Sequence, residues 1–218
     1  MTTFQLGKYE KALQYEIFVK EEYQQAKEII KHANLIFDIG SHIGFFSEWC
    51  LSLNPQVKIF AFEPMPLLFE TMKERLSLYQ NQIHFFNYGI SSKTEKIPFF
   101  FNSQKTMQSS KFSSFLNPQG EKIEVNMLTF QQILEEYQIS QIDLLKMDIE
   151  GMEFEVLESQ KESLFEHINA MIIEIHCFDK EKEEKSEWLQ NYLSHFFSKV
   201  LFTPNEYDKR IGLLFCES

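Results

Sequence analysis

The sequence predicts an α/β domain with a mainly parallel sheet and helices on both faces of that sheet. Strand-like apolar runs alternate with amphipathic helical segments over residues 35–88, and this alternation is typical of right-handed parallel crossovers. Two of the apolar runs end in turns that carry acids and glycines. Open parallel sheets bind their ligands at such turns, so we expect a site at this edge.

The predicted elements follow from hydrophobic periodicity and from helix and turn signals. Thr129 is a candidate N-cap for one helix, and residues 207–209 supply a turn that makes the two closing strands antiparallel. The helices are predicted at 10–32, 45–53, 67–79, 129–137, 152–159 and 181–195, and the strands at 35–39, 57–62, 83–88, 97–101, 123–127, 142–147, 170–175, 199–203 and 211–216.

We interpret residues 1–218 as one domain, since no linker divides the chain. Residues 1–33 are expected to form a helical cap before the first strand. Residues 91–128 interrupt the strand and helix rhythm, and we expect a flap of extra strands and loop over the substrate side. Five phenylalanines favour an ordered flap, since disordered segments contain few aromatic residues; they are Phe99, Phe100, Phe101, Phe112 and Phe115.

Composition excludes several classes of partner. The formal net charge of −11 argues against nucleic acid, because phosphate contacts need clustered lysines and arginines. No apolar run reaches membrane-spanning length, and the N-terminus has no signal-like pattern, so a cytoplasmic protein is expected. Cys50, Cys177 and Cys216 are far apart and odd in number, which predicts buried free thiols. The sequence indicates no oligomeric state.

The first turn, residues 38–44, pairs Asp38 with Gly40 and Gly44. Glycine reaches backbone angles closed to other residues and lets a ligand approach the main chain. The dinucleotide fingerprint would place its second and third glycines at His42 and Phe45, so a pyrophosphate is disfavoured. Glu63 ends the next strand, where a carboxylate can accept hydrogen bonds from ribose hydroxyls. Together these residues predict a ligand that carries a nucleoside, although Asp38, Gly44 and Glu63 each have a purely structural interpretation.

The second turn follows the strand at 142–147 and reads Lys146-Met-Asp148-Ile-Glu150-Gly151-Met-Glu153. The strand delivers Asp148 and Glu150 to the same sheet edge as Gly40 and Glu63. Acids at a helix start can simply complement the helix dipole, and Glu153 is explained in that way. The density of charge nevertheless favours a functional cluster.

These motifs resemble the FkbM family of S-adenosylmethionine-dependent methyltransferases. The resemblance covers roughly residues 34–176 and rests on the turn at 38–44, on Phe62-Glu63-Pro64, on the block from Leu145 to Glu153 and on Ile173-Glu174-Ile-His176. It implies a Rossmann-like methyltransferase fold with a seven-stranded sheet and an antiparallel last strand. It also implies methyl transfer to a hydroxyl oxygen of a sugar, glycan or secondary metabolite. Ser41-His42 and Gln131 depart from the family pattern.

The resemblance implies S-adenosylmethionine as cofactor and suggests where its parts bind. The methionine moiety is expected over residues 38–44, the ribose on Glu63, and the adenine near Phe62, Pro64 and the end of the third strand at residues 87–89. Tyr23 is expected to reach the cofactor carboxylate or to pack in the core. The full set of predicted cofactor-binding residues is Tyr23, Asp38, Gly40, Ser41, His42, Gly44, Glu63, Pro64, Asn87, Tyr88 and Gly89. His42 replaces an asparagine of the family, and it either contacts the cofactor or faces the acceptor.

The enzyme must align the acceptor oxygen with the methyl group and remove one proton. Asp148 and His176 are the leading catalytic candidates, because each ends a central strand and a neutral histidine accepts a proton near neutral pH. Glu150 and Glu174 are secondary candidates, and His176 has a structural interpretation as well. Three acids and a histidine also suit Mg²⁺, but spacing does not decide between them and no metal ligand is predicted.

Three other functions fit parts of the sequence. A nicotinamide-dependent oxidoreductase is disfavoured by His42, which stands where the dinucleotide fingerprint has glycine. A non-catalytic nucleotide-binding module would leave the acids of residues 148–153 unexplained. A nucleic-acid methyltransferase is disfavoured by the net charge and by the absence of an Asn/Asp-Pro-Pro-Tyr/Phe motif.

Overall fold

Strands and helices alternate through the first half of the chain. The computed structural model describes residues 6–101, 121–177, 180–206 and 208–218. The elements up to the third strand are α1 (Lys8–Phe18), α2 (Lys27–His32), β1 (Leu35–Ile39), α3 (Phe45–Leu53), β2 (Lys58–Phe62), α4 (Pro66–Arg75) and β3 (Ile83–Phe86).

Three strands then follow one another without a helix between them before the alternation resumes. The remaining elements are β4 (Gly89–Ile90), β5 (Glu95–Phe101), β6 (Glu121–Leu128), α5 (Phe130–Glu136), β7 (Leu144–Met147), α6 (Glu153–Glu158), β8 (Ala170–His176), α7 (Lys180–Leu193), β9 (Lys199–Pro204) and β10 (Ile211–Glu217). The predicted cap at Thr129 is confirmed, since its hydroxyl accepts from the Gln132 amide and the two residues form a capping box.

The main sheet has seven strands in the order β3-β2-β1-β7-β8-β10-β9. Strands β3, β2, β1, β7 and β8 pair in parallel, whereas β10 runs antiparallel to both β8 and β9. The predicted α/β class and the antiparallel last strand are therefore confirmed. Because the parallel strands share one carboxyl edge, the turns after β1, β2, β7 and β8 meet there.

The excursion after β3 forms a second, three-stranded sheet in the order β4-β6-β5. The third strand was predicted to continue to Tyr88, but it ends at Phe86 because the chain then joins this second sheet. The two predicted strands of the excursion are confirmed as an antiparallel pair. Phe112 and Phe115 lie outside the described residues, so the expected flap is described only at its two strands.

The N-terminal segment differs from the single helix predicted over residues 10–32. Helix α1 ends at Phe18, Glu21 has a φ of 50°, and a 3-10 turn at Gln24–Ala26 leads into α2. The break allows Tyr23 to turn into the core, where its ring centroid lies 5.0 Å from that of Phe46. Tyr23 and Ile30 are both buried in this arrangement, with 3% and 0% of their surface exposed.

Phenylalanines fill much of the core between the sheet and its helices. The rings of Phe37 and Phe60 stack at 5.3 Å, and those of Phe62 and Phe86 stack at 4.6 Å, which joins the first three strands. The three cysteines are buried and form no disulfide, as predicted. Among the described residues, no helix has the length and apolar character needed to cross a membrane.

Candidate active site

A cavity of about 500 Å³ opens at the carboxyl edge of the parallel strands. It is lined by the secondary candidate Glu174 and by nine of the other residues predicted from the sequence: Tyr23, Gly40, His42, Glu63, Pro64, Gly89, Asp148, Glu150 and His176. Five other predicted residues do not line it: Asp38, Ser41, Gly44, Asn87 and Tyr88. A volume of this size suits a nucleoside-sized ligand.

Asp38, at the end of β1, is fully buried beneath the cavity. Its Oδ2 accepts a hydrogen bond of 2.6 Å from the Ser47 hydroxyl, and its Oδ1 lies 3.6 Å from Lys146 Nζ. Asp38 therefore fixes the start of α3 against β7. Its predicted contact with a cofactor stays a prediction.

Lys146 ties the two motifs together from its buried position on β7. Its Nζ donates a hydrogen bond of 2.8 Å to the Gly40 carbonyl and lies 3.7 Å from Asp148 Oδ2. Burial lowers the pKa of Lys146, but the carboxylates of Asp148 and Asp38 outweigh it, and the net result is a raised pKa. Lys146 is thus a permanent positive charge shared by two acids.

Gly40 is required by the neighbouring protein backbone. It has a φ of +76°, and a Cβ atom on it would lie 1.8 Å from the Asp148 carbonyl oxygen. Close approach of a ligand was the predicted reason for this glycine. The backbone contact with Asp148 is an additional reason that only the tertiary structure reveals.

Ser41 and Gly44 serve the turn and its packing. The Ser41 hydroxyl donates to the Asp38 carbonyl at 2.7 Å and to the Phe62 carbonyl at 3.3 Å. Gly44 is the N-cap of α3 and has a left-handed φ of +85°. A Cβ atom on it would collide with the side chain of Leu76. Both residues hold the loop from below the cavity.

Glu63 follows β2 and is 5% exposed. Its Oε2 accepts from the His42 amide at 2.9 Å, and its Oε1 accepts from the Met65 amide at 2.8 Å. Burial raises the pKa of Glu63 to about 8, although the two amide hydrogen bonds lower it. Each carboxylate oxygen can accept two hydrogen bonds, so one acceptor position remains on each.

Of the residues predicted at the end of the third strand, Gly89 lines the cavity, whereas Asn87 and Tyr88 do not. Asn87 donates to the carbonyls of Glu63 and Pro64 at 2.9 and 3.2 Å and holds that turn from outside the cavity. Gly89 lines the cavity, and a Cβ atom on it would lie 2.7 Å from the Met127 sulfur. Tyr88 is 38% exposed and does not reach the cavity.

His42 lines the cavity in a strained left-handed conformation, with a φ of 53°. Both of its ring nitrogens are buried and have no hydrogen-bond partner in the described part of the chain. Burial lowers its pKa to about 4, so the imidazole is neutral near pH 7. An unpartnered polar ring in a cavity wall is consistent with either of its predicted roles.

We expect His42 to make the fold less stable in mild acid. The unfolded chain takes up a proton near pH 6.5, whereas folded His42 stays neutral until about pH 4. This contribution to stability is therefore complete above pH 6.5 and is lost as the pH falls towards 4. Between pH 7.5 and 5, wild type should lose on the order of 1–2 kcal/mol more than His42→Asn in urea unfolding. The exposed His32→Asn should behave as wild type, and equal losses in wild type and His42→Asn would contradict the prediction.

The second turn is held by Glu153, which is fully buried. Its Oε1 accepts from the amides of Ile149 and Gly151 at 3.1 and 3.0 Å and lies 3.0 Å from His176 Nδ1. Glu153 was explained from the sequence as a partner of the helix dipole. The structure shows a larger role, since this one carboxylate fixes both the turn and the imidazole.

Acids crowd the end of β7 and β8. His176 Nε2 lies 3.7 Å from Glu150 Oε2, and one ligand atom each of Asp148, Glu174 and His176 lie within 4.8 Å of one another. Burial lowers the pKa of His176, but the carboxylates of Glu153, Glu174 and Glu150 hold it well above its usual range. These carboxylates therefore favour the protonated imidazole, and the predicted neutral form needs another positive charge in the site to offset them.

The same crowding acts on the carboxyl groups. Burial raises the pKa of Glu150 to about 8, against the lowering effect of His176. Burial, followed by the negative charge of Asp148, raises the pKa of Glu174 well above its usual range. A cationic ligand would favour the ionised form of these crowded acids, so the site suits positive charge.

Two groups of cavity residues were missed by the sequence analysis. Glu16 and Glu22 reach the cavity from α1 and the segment after it, and Asp208 and Arg210 reach it from the loop between β9 and β10. Burial, and then the charge of Glu16, raise the pKa of Glu22 to about 7. Glu22 is next to Tyr23 in the sequence, so the prediction of Tyr23 could have led to it. Asp208 and Arg210 belong to no motif, so the sequence offers no such signal for them.

The sheet order, the surrounding helices and the cavity at the carboxyl edge are typical of the Rossmann-like methyltransferase fold. Solved structures share this fold. The structure of SMU.1697c from Streptococcus mutans in complex with SAH superposes with a TM-score of 0.53 and 10% identity, over 89% of this chain and 96% of that one. At this identity the likeness is one of fold.

The chain belongs to the FkbM methyltransferase family. A family model described as Methyltransferase FkbM domain matches residues 38–209. The chain is 27% identical to the hexuronic acid methyltransferase AglP of Haloferax volcanii, over 66% of this chain and 56% of AglP. It is 22% identical to the 31-O-demethyl-FK506 methyltransferase FkbM of Streptomyces tacrolimicus, over 75% of this chain and 74% of that protein. The chain spans only part of several curated relatives, with 9%, 65% and 56% of the length of the first three.

Proposed function

We propose that the protein is an S-adenosylmethionine-dependent O-methyltransferase that acts on a hydroxyl group of a sugar, glycan or secondary metabolite. The acidic cavity at the carboxyl edge of a family-typical sheet carries the proposal. The relatives support the acceptor class, since one is named for a hexuronic acid and another for an oxygen position of FK506.

The residues present fit the cofactor. S-adenosylmethionine carries a methyl group on a positively charged sulfur, and carboxylates of the cavity wall offset positive charge. Glu63 keeps one free acceptor position on each oxygen for the ribose hydroxyls. Gly40 and His42 form the wall beside it, and Tyr23 closes that wall from the N-terminal segment.

Glu150 is the proton acceptor in this proposal, in its ionised form, whose share rises as the pH approaches the pKa of about 8. Its carboxylate lies 3.7 Å from His176 Nε2 and lines the cavity. Glu150 also has a φ of 55°, a conformation that a residue with a side chain adopts at a cost and that is concentrated at functional sites. Asp148 and His176 orient the acceptor hydroxyl, and Glu153 orients His176.

The test is methyl transfer from labelled S-adenosylmethionine to a panel of sugars, glycans and hydroxylated metabolites. We expect a labelled methyl ether with at least one hydroxyl acceptor and, by calorimetry, binding of S-adenosylhomocysteine but not of NAD. NAD binding without S-adenosylhomocysteine binding would overturn the proposal and favour an oxidoreductase.

Glu150→Gln should lower turnover by about a hundredfold, the typical contribution of a positioned general base. Its affinity for S-adenosylhomocysteine should stay unchanged, because the proton acceptor acts on the acceptor side. Glu158→Gln, on the nearby α6 and paired with Lys185 at the surface, is the matched control. Full turnover in Glu150→Gln would contradict this assignment and would leave Asp148, His176 or water as the proton acceptor.

At a pH above the pKa of Glu63, about 8, Glu63→Gln should weaken binding of S-adenosylhomocysteine by about tenfold or more, since hydrogen bonds to a charged acceptor are worth about 1.5–3 kcal/mol. The glutamine side chain places an NH₂ donor where Glu63 has an oxygen. In the proposed function, that oxygen accepts hydrogen bonds from a backbone N–H and from the ribose. Glu70→Gln, on the exposed side of α4, is the control for loss of one carboxylate. Calorimetry with unchanged affinity in Glu63→Gln would remove the ribose assignment.

A further inference from the structure

Three side chains at the carboxyl ends of β7 and β8 offer ligand atoms to a common point. One atom each of Asp148, Glu174 and His176 lie within 4.8 Å of one another. Donor atoms that surround one ion at about 2.0–2.6 Å have separations of this order. The three residues come from two adjacent strands, so the sheet itself fixes their relative positions.

Glu174 supplies an independent observation. Its carboxylate lines the cavity, and it takes part in no hydrogen bond or ion pair with the residues that the structure describes. Glu174 is partly exposed in the cavity wall, and a carboxylate partly removed from water without a hydrogen bond is open to a bound ion. Lys146 acts on Glu174 through its charge, but its ion pairs are with Asp38 and Asp148, and Arg210 pairs with Asp208.

The orientation of His176 also fits an ion. Its Nδ1 is held by Glu153, which directs Nε2 towards the acids of the cavity. Metal-binding histidines typically donate their second ring N–H to a carboxylate in this manner, which fixes the ring and its tautomer. Glu153 therefore stands where an outer carboxylate of a metal site would stand.

We propose that Asp148, Glu174 and His176 bind one divalent cation. One imidazole nitrogen with two carboxylate oxygens favours a transition ion such as Mn²⁺ over Mg²⁺ or Ca²⁺, which prefer oxygen ligands alone. Its role rests on the proposed function: the ion places positive charge beside the acceptor oxygen. Asp148 and His176 then orient the acceptor hydroxyl through the ion that they bind, and Glu150 remains free to take the proton.

The experiment titrates the chelator-treated full chain with Mn²⁺ and follows free Mn²⁺ by electron paramagnetic resonance. We expect one bound equivalent, and Glu174→Gln should weaken binding by at least about tenfold. Glu16→Gln removes the same charge from the same cavity outside the three ligands, and it should bind Mn²⁺ as wild type. Glu174→Gln removes a carboxylate that makes no hydrogen bond or ion pair with the described residues, so we expect this variant to fold.

Three outcomes would overturn the proposal or its stated role. Absence of a bound equivalent in wild type, or equal weakening by Glu16→Gln and Glu174→Gln, would show diffuse attraction instead of a site. Methyl transfer that proceeds as fast after chelation as with Mn²⁺ would remove the role of the ion. Calorimetry with S-adenosylhomocysteine on the same samples distinguishes failure of the metal site from failure of the proposed function.

Discussion

Lys146→Met is expected to lower the free energy of unfolding by about 3–5 kcal/mol, because it leaves buried charge without a partner. Lys146 Nζ lies 3.6 Å from Asp38 Oδ1 and 3.7 Å from Asp148 Oδ2, and it donates to the Gly40 carbonyl. Asp38 is fully buried, so water cannot replace the lost ammonium. Urea unfolding measures the change.

Two further variants make this prediction specific. Lys73→Met removes a lysine that is 44% exposed and lies 3.5 Å from Glu70, and it should change stability by less than about 1 kcal/mol. Adding Asp38→Asn to Lys146→Met should cost less than Asp38→Asn costs in wild type, since the two residues form one charged unit. A loss below about 1 kcal/mol in Lys146→Met would contradict the assigned role of Lys146.

Hydrophobic periodicity predicted the fold because the strands appear as apolar runs and the helices as amphipathic segments, with little overlap between the two patterns. The helix at residues 45–53 was predicted with the observed bounds, and the strand at 170–175 is one residue short. The predictions were wrong where tertiary contacts compete with local pattern. Residues 10–32 break so that Tyr23 can pack on Phe46, and β3 ends early because the chain joins the second sheet at Gly89.

The site was predictable to the level of its motifs but not of its hydrogen bonds. Glycines and acids at strand ends indicate a ligand edge by topology alone, and nine of the predicted residues do line one cavity. The partners of Asp38, Glu63 and Glu153 could not be predicted, because each bond joins segments that only the folded sheet brings together. Lys146 and Gly40 lie 106 residues apart in sequence.

Gly40→Ala is expected to lower the free energy of unfolding by more than about 3 kcal/mol, because it combines a left-handed backbone cost of about 1–2 kcal/mol with a backbone clash. The new Cβ would lie 1.8 Å from the Asp148 carbonyl oxygen and 2.9 Å from its carbon. Relief of the clash must move the turn that carries Asp148 and Glu150. Turnover in the methyl-transfer assay should therefore fall by about a hundredfold, the cost of a misplacement of about 1 Å.

Gly44→Ala separates the two parts of that expectation. Gly44 also has a left-handed φ, of +85°, but its added Cβ would meet only the side chains of Leu76 and Met72. These side chains can adjust their rotamers, whereas the carbonyl of Asp148 is fixed by the strand that precedes it. Gly44→Ala should consequently lose less stability than Gly40→Ala in urea unfolding and retain more turnover. Equal losses of stability and turnover in the two variants would mean that the turn at Asp148 moves without cost to accept the new Cβ atom. Gly40 would then be required only for its backbone angles.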